Sequence, residues 1–309
     1  MMRRASLFAR RLPAALLAAL CCALWGSTSP VLKAGFGWMS LSSGDYAGQL
    51  LFAGMRFVLA GLMVLALSVP LRRRMPWPHR ADWKPIAVIS LFQTVLQYAF
   101  YYIGLATAGS ITASIVGGVN TFTSILLSAL IFRQEKLTAP KIVGCALGLA
   151  GVALVNLRGN ALSFRPMGEG LILMSSLAYA TSTCLMKRFG RDADPMLLSG
   201  WQFLLGGALL SLAGLLSGGA GSFAAGVPWP VLLYLAGVSA VAYTLWSFLL
   251  RAQDVSFVAA FGFVNPMFGV TLSAMLFADE RALLDARVLI ALLLVCAGIY
   301  VVNRRQPTR

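Results

Sequence analysis

Long apolar runs separated by short basic gaps limit this chain to one kind of fold. A bilayer core about 30 Å thick needs roughly 20 apolar residues for each crossing helix. The composition, 59% hydrophobic and 11% charged with a mean hydropathy of +0.81, is far from that of a soluble domain. The sequence predicts an all-α integral membrane protein with ten transmembrane helices, at 12–33, 50–69, 85–105, 111–132, 141–157, 170–187, 195–216, 230–250, 256–277 and 287–303.

The 25 Lys and Arg residues indicate the orientation of these helices. If the spans alternate, nineteen lie on one side of the membrane, five lie on the other and Arg56 lies inside the second span. Because loops rich in Lys and Arg stay in the cytoplasm, both termini are expected in the cytoplasm. The expected location of the protein is the cell inner (cytoplasmic) membrane. The net charge of +15 is thus a topology signal, and the predicted partners are the lipid bilayer and a small-molecule substrate, with no nucleic acid.

Residue types that catalysis or metal binding requires are sparse. The single histidine, His79, lies in a charged loop, and the five cysteines lack the paired spacing of metal or disulfide sites. We therefore expect no enzyme activity, no metal and no cofactor. All ten acids fall in loops or at helix ends, which favours facilitated diffusion or exchange over proton coupling. Glu135 and Glu280, both at helix ends, leave coupling open.

The chain repeats itself at a shift of about 145 residues. Seven of seventeen positions are identical between 119–135 and 264–280, without a gap. The predicted halves are 12–157 and 170–303, with an external linker at 158–169 and cytoplasmic ends at 1–11 and 304–309. Because each half has five helices, the two enter the membrane from opposite sides, and such inverted five-helix repeats favour alternating access around one central site.

Several of these features together resemble the drug/metabolite transporter superfamily. Trp25-Gly26-Ser27, Arg56-Phe57 and the helical runs ending at Glu135 and Glu280 look like its EamA-type ten-helix permeases, over nearly the whole chain. The resemblance implies transport. In that superfamily the fifth and tenth helices can form contacts between subunits, which leaves a homodimer through these helices open. The family commonly has Pro at position 121, where this chain has Thr121 but keeps Pro266, so the halves are expected to move unequally.

Polar and aromatic side chains inside the spans are the candidate substrate-binding residues, since lipid-facing positions have no use for them. They are Trp25, Arg56, Gln97, Tyr98, Asn120, Tyr179, Tyr243, Trp246 and Asn265.

Each of these candidates has a structural alternative. Arg56 either holds a substrate anion or, as we favour, snorkels outward or caps carbonyls of a neighbouring helix. The aromatic residues line a pocket or, near the surface at Tyr101 and Tyr102, form an interfacial belt. Asn120 and Asn265 bind substrate or another helix.

The function predicted from these patterns is a secondary transporter that exports a small polar or amphipathic metabolite such as an amino acid. The alternative within transport is a multidrug or quaternary-amine exporter. A membrane scaffold or sensor is the third hypothesis.

Overall fold

The computed structural model describes residues 8–39, 44–72, 75–108, 119–156, 166–223, 226–276 and 286–304. Within those ranges all regular secondary structure is helical, with no strand. The expected all-α class is confirmed for that part of the chain.

The described residues form α-helices joined by loops or by short π and 3-10 turns. The α-helices are α1 (Arg11–Gly26), α2 (Thr28–Trp38), α3 (Tyr46–Arg72), α4 (Arg80–Ser90), α5 (Gln97–Ala108), α6 (Val119–Leu126), α7 (Ala139–Asn156), α8 (Leu171–Phe189), α9 (Pro195–Leu216), α10 (Trp229–Ala252), α11 (Val255–Ala260), α12 (Val264–Leu276) and α13 (Ala286–Asn303). The π turns are Leu91–Leu96, Leu127–Ile131 and Pro166–Gly170, and the 3-10 turns are Gly219–Phe223 and Phe261–Phe263.

Five of the described helical stretches are long and apolar enough to cross a bilayer. They are Arg11–Leu32, Tyr46–Pro70, Arg80–Gly104, Pro195–Leu216 and Trp229–Ala252. Four shorter apolar stretches accompany them, at Val119–Ile131, Ala139–Gly151, Val255–Gly269 and Leu289–Asn303. Large apolar side chains such as Leu62, Leu212 and Leu293 are half or more exposed, as expected where a surface meets lipid. The chain is an integral membrane protein.

Helix α8, which falls in the sixth predicted span, is more polar than those stretches. Its inward face carries Ser175, Ser176, Ser182 and Thr183, all of them buried in the protein. Ser176 and Ser182 donate to carbonyls one turn back on the same helix. These hydroxyls lower the hydropathy of the helix without meeting lipid, because their hydrogen bonds are satisfied locally.

Three predicted spans are less regular than the apolar pattern suggested. The third contains the π turn Leu91–Leu96, the fourth ends in the π turn Leu127–Ile131, and the ninth has the 3-10 turn Phe261–Phe263 just before Pro266. In the third span the π turn coincides with the buried polar residues Gln93 and Thr94. Extra residues in a turn re-aim side chains and are frequent at functional sites.

The most extensive helix pair is α3 with α9, and glycines allow its close approach. A Cβ atom on Gly207 would lie 2.8 Å from the carbonyl oxygen of Gly54, and one on Gly61 would lie 2.8 Å from that of Gly200. Both distances are clashes, so only glycine fits at these positions. The early part of α3 thus meets the later part of α9, and the two helices run antiparallel.

Helices α7 and α13 form a second antiparallel pair. A Cβ on Gly298 would lie 2.6 Å from the carbonyl oxygen of Gly144, and one on Gly151 would lie 2.8 Å from that of Ala291. The small-residue faces of the fifth and tenth predicted spans are therefore packed against each other within one chain.

Candidate substrate site

Six aromatic side chains from five helices meet in the interior, and we call them the aromatic cluster. They are Trp25 of α1, Phe57 of α3, Tyr98 of α5, Phe203 of α9, and Tyr243 and Trp246 of α10. At the centre the hydroxyls of Tyr98 and Tyr243 are hydrogen-bonded at 3.1 Å.

The rings of the cluster contact one another mainly edge to face. Trp25 lies between Tyr243 and Trp246, with ring centroids 4.9 and 4.8 Å apart. Phe57 contacts Tyr98 at 4.5 Å and Phe203 at 5.2 Å, and Phe203 contacts Tyr243 at 5.3 Å. Such arrangements bring positive ring edges to negative ring faces and stabilise the cluster beyond its buried area.

Helical spacing explains how the sequence builds this cluster. Tyr243 and Trp246 are three residues apart on α10 and share a face, while Tyr98 and Tyr102 are four apart on α5. Tyr102 is only 1% exposed and packs beside Tyr98. The interfacial-belt alternative is therefore wrong for Tyr102, and Tyr101 packs against it with a centroid distance of 6.1 Å.

Four predicted site residues carry a buried polar atom that no described protein group bonds. They are the indole Nε1 of Trp25 and Trp246 and the amide oxygens of Gln97 and Asn120. Backbone contacts hold two of them, since the carbonyl oxygens of Gln97 and Asn120 accept bonds from Ser175 and Ser124. Buried polar atoms without a partner are costly, so these atoms are available to a ligand or to water.

The other two inner candidates lie around this core. Tyr179 of α8 lies near Thr183, Cys21, Cys22 and Tyr98. Asn265 is half-buried, and its backbone carbonyl packs against Gly26, where a Cβ would approach within 2.8 Å. The structure thus brings Trp25, Tyr98, Tyr243 and Trp246 into direct contact and sets Tyr179 beside them.

Arg56 is buried, with 3% of its surface exposed. Its Nε donates to the Leu235 carbonyl at 3.2 Å and to Ser239 Oγ at 3.1 Å, and its Nη2 donates to Ser239 Oγ at 2.9 Å. The guanidinium also lies 5.2 Å above the Phe57 ring and beside the Tyr102 hydroxyl. Outward snorkelling is therefore wrong, whereas capping of a neighbouring helix is observed, with neutral partners.

A second pair of hydrogen-bonded polar side chains joins the π turn Leu91–Leu96 to α9, and both of its members are neutral. Thr94 Oγ1 donates to Gln202 Oε1 at 2.8 Å, while the Gln202 amide nitrogen is buried without a described partner. Gln202 corresponds to Arg56 at a repeat shift of 146 residues, whereas Thr94 and Ser239 are not among the residues predicted from the sequence. Those two residues are themselves 145 positions apart, so the repeat already held the signal that pairs them.

A polar network closes one end of the bundle, which we call the basic end because Lys141, Lys187 and Arg251 lie there. The carboxylate of Glu135, its side chain 5% exposed, accepts from Lys141 Nζ at 2.8 Å and from the Ser256 N–H at 2.9 Å. The Ser256 hydroxyl also donates to it. The helix-end location matches the sequence, but this carboxylate is buried rather than open to water.

Backbone geometry aims Glu135 into this network. Arg133, just after the π turn Leu127–Ile131, has a φ of 50°, the left-handed conformation that ends many helices and usually belongs to glycine. Gln134 then donates from its N–H to the Ser128 carbonyl and from its amide to the Cys184 carbonyl. The chain reverses here, and the next side chain meets the start of α11.

Lys187 extends the network. Its ammonium donates to the Gln253 carbonyl and lies 3.8 Å from Asp254, whose side chain is 69% exposed. Gln253 in turn donates to the Phe8 and Ala9 carbonyls, which ties the N-terminal segment to this end. A surface recess of about 640 Å³ lies beside Arg133 and Glu135, away from the aromatic cluster. No group of three metal-ligating side chains occurs among the described residues.

Known proteins resemble this chain over nearly its whole length. The uncharacterized transporter YvbV of Bacillus subtilis (strain 168) is 27% identical over 309 residues, covering 96% of this chain and 93% of that protein. The uncharacterized inner membrane transporter YedA of Escherichia coli (strain K12) is 26% identical, covering 90% and 88%. A solved crystal structure superposes with a TM-score of 0.73 at 20% identity, covering 95% of this chain and 97% of its own, which is a likeness of fold alone.

A family model gives the assignment directly. The model of the EamA-like transporter family matches residues 12–157 and again residues 166–304. The two matches lie close to the halves drawn from the internal repeat, and they take in every residue of the aromatic cluster. The chain belongs to the EamA-like transporter family.

Proposed function

We propose that this protein is a secondary transporter that moves a small polar or amphipathic metabolite, such as an amino acid, by alternating access between two inverted five-helix halves. It has ten transmembrane spans in the cytoplasmic membrane with both termini in the cytoplasm, and it acts mainly as an exporter. The observation that carries the mechanism is that contacts between the halves occur in pairs related by the internal repeat. We call two such contacts, made by repeat-equivalent residues, mates. The centre of these pairs is the hydrogen bond between the repeat-equivalent Tyr98 and Tyr243.

Helix contacts support this arrangement first. At a shift of 146, Gly54 corresponds to Gly200 and Gly61 to Gly207. A two-fold axis that exchanges the halves would turn the contact of Gly54 with Gly207 into a contact of Gly200 with Gly61, and both are present. Antiparallel packing of equivalent helices is what an axis in the membrane plane produces.

Polar contacts obey the same exchange. Arg56 corresponds to Gln202 and Ser239 to Thr94, so the bonds Arg56–Ser239 and Thr94–Gln202 are mates. These five contacts join four different pairs of predicted spans and share no local sequence motif. Their agreement supports one axis through the aromatic cluster.

The basic end provides a gate for such a mechanism. Glu135 belongs to the first half and Ser256 to the second, and the two are joined by two hydrogen bonds. Opening this end requires these two hydrogen bonds to break. The residue equivalent to Glu135 in the second half is Glu280, which lies outside the described residues. The structure is therefore interpreted as closed at the basic end.

Transport itself is tested with purified protein in liposomes. Vesicles loaded with an unlabelled metabolite are diluted into medium with a trace of the labelled form, and we expect transient uptake by exchange. A panel of amino acids and organic acids is assayed, with protein-free liposomes as the control. Absence of exchange for every member of the panel, with protein correctly inserted, would contradict the proposal.

One observation favours the second candidate, a quaternary-amine or multidrug exporter. An interior cluster of tryptophan and tyrosine rings can hold a cation by cation–π attraction. The same liposome assay with tetraethylammonium distinguishes the two.

A further inference from the structure

The aromatic cluster contains two indole N–H groups for which no described residue is an acceptor. Trp246 is 3% exposed, and its indole N–H has no described partner. The Trp25 N–H is also buried and unpartnered, and the two rings are 4.8 Å apart. An indole nitrogen is only a donor, so each group can be satisfied only by an acceptor.

The local charge favours a negative acceptor. Arg56 is buried close to the cluster, and its described partners, Leu235, Ser239 and Tyr102, are neutral. The carboxylates of Asp45, Glu135 and Asp254 lie at helix ends, and none of their described contacts is with Arg56. A buried cation without an acid creates a positive potential that a ligand anion lowers and a ligand cation raises.

These two observations argue against the cation alternative for the same rings. A quaternary ammonium ion would gain cation–π attraction from Trp25, Tyr243 and Trp246. It would leave both indole donors unsatisfied and would add a second positive charge near Arg56. A carboxylate satisfies the donors and compensates the charge, while the rings pack against its apolar part.

We propose that the indole N–H groups of Trp25 and Trp246 form the recognition site for a carboxylate group of the transported molecule, and that this site rejects organic cations. The inference rests on the proposed function and specifies its substrate class. Trp25 comes from the first half and Trp246 from the second, so a bound carboxylate links the two halves. Phe203 and Tyr243 form the adjoining apolar wall.

Ligand binding to the purified protein tests the proposal without requiring transport. Four probes of one shape are compared: 3-phenylpropionate, phenylalanine, phenylalaninamide and phenethylamine, with tetraethylammonium as a quaternary cation. Binding to the folded state raises the melting temperature in proportion to the logarithm of ligand concentration. We expect stabilisation by 3-phenylpropionate and phenylalanine, and at least tenfold weaker binding of phenylalaninamide, phenethylamine and tetraethylammonium.

A matched pair of variants tests the atoms. Trp246→Phe removes the indole N–H, and we expect carboxylate affinity to fall about ten- to a hundredfold, the loss of one charge-assisted hydrogen bond. Trp229→Phe on the same helix, where Trp229 is 55% exposed, should leave affinity unchanged. If Trp246→Phe does not fold, replacement of Trp246 by benzothienylalanine keeps the ring size and removes only the N–H.

Three results would overturn the proposal: tighter binding of the amines, no binding of any carboxylate probe, or full carboxylate affinity without the Trp246 N–H. Each differs from failure of the proposed function. A protein that exchanges metabolites in liposomes but binds no carboxylate remains a transporter with another substrate class, whereas one that exchanges nothing contradicts transport itself.

Discussion

The contact between Glu135 and Ser256 should control how often the basic end opens. The Glu135 carboxylate accepts three hydrogen bonds, from Lys141 at 2.8 Å, from the Ser256 N–H at 2.9 Å and from the Ser256 hydroxyl. Hydrogen bonds to a charged group contribute about 1.5–3 kcal/mol each. Glu135→Gln keeps an oxygen that can accept from the Ser256 N–H but loses the charge that attracts Lys141. We expect its closed state to be weaker by about 1–2 kcal/mol, a five- to thirtyfold rise in opening.

A native cysteine can report that opening. Cys184 is fully buried, and its carbonyl accepts from Gln134, the neighbour of Glu135. In a protein whose other cysteines are replaced by serine, the rate of maleimide labelling at Cys184 measures the fraction of time that this end is open. Glu135→Gln should raise the rate five- to thirtyfold. Glu135→Ala should raise it further, because alanine also removes the oxygen that accepts from Ser256.

The control is Asp254, an acid at the same end whose ion pair is exposed to solvent. Asp254 is 69% exposed and lies 3.8 Å from Lys187, so Asp254→Asn should change labelling less than threefold. Transport by Glu135→Gln should stay within tenfold of the unmodified protein. Unchanged Cys184 labelling in both Glu135 variants, with the fold intact, would refute the gate.

Three further predictions concern the membrane and the site. A reporter fused after Arg309 should report the cytoplasm and one within 217–229 the exterior; a cytoplasmic result for that loop contradicts the ten-span topology. Arg56→Lys should keep most transport at normal membrane abundance, because neutral acceptors on Ser239 and Leu235 do not require a bidentate fork, and a severe loss of flux would show that Arg56 contacts substrate. Exchange in liposomes should proceed without a pH difference, and strict dependence on one, abolished by Glu280→Gln, would make that glutamate a coupling site.

Helix positions follow from the sequence because burial in lipid depends mainly on composition. Helix α9 spans the predicted range 195–216, and most other described helices end within a few residues of their predicted ranges. The first predicted span, 12–33, is instead two helices that extend to Trp38, and the start of the fourth, 111–118, lies outside the described residues. The glycines that the repeat paired, Gly54 with Gly200 and Gly61 with Gly207, proved to lie in helix contacts for the same reason. Close packing requires small residues, and small residues are visible in sequence.

Side-chain direction was harder to predict, since it depends on tertiary contacts. The repeat shift of 145 residues makes Tyr98 and Tyr243 equivalent, but it does not say that their hydroxyls meet. In Arg56 the sequence shows a charge in a span, and only the neighbouring helix supplies Ser239 as its acceptor. The burial of Glu135 depends on the left-handed turn at Arg133, a conformation that no residue preference for arginine predicts.

The differences between mated sites bear on direction. If two inverted halves were identical, the states open to either side would have equal free energy in a symmetric membrane, and neither would be preferred. Here Arg56 is a charged donor to Ser239, whereas its mate Gln202 is a neutral acceptor from Thr94. Thr94 also lies in the π turn Leu91–Leu96, while Ser239 lies in the regular helix α10. In the proposed mechanism, interconversion of the two states breaks unequal bonds, and this inequality sets which end is closed at rest.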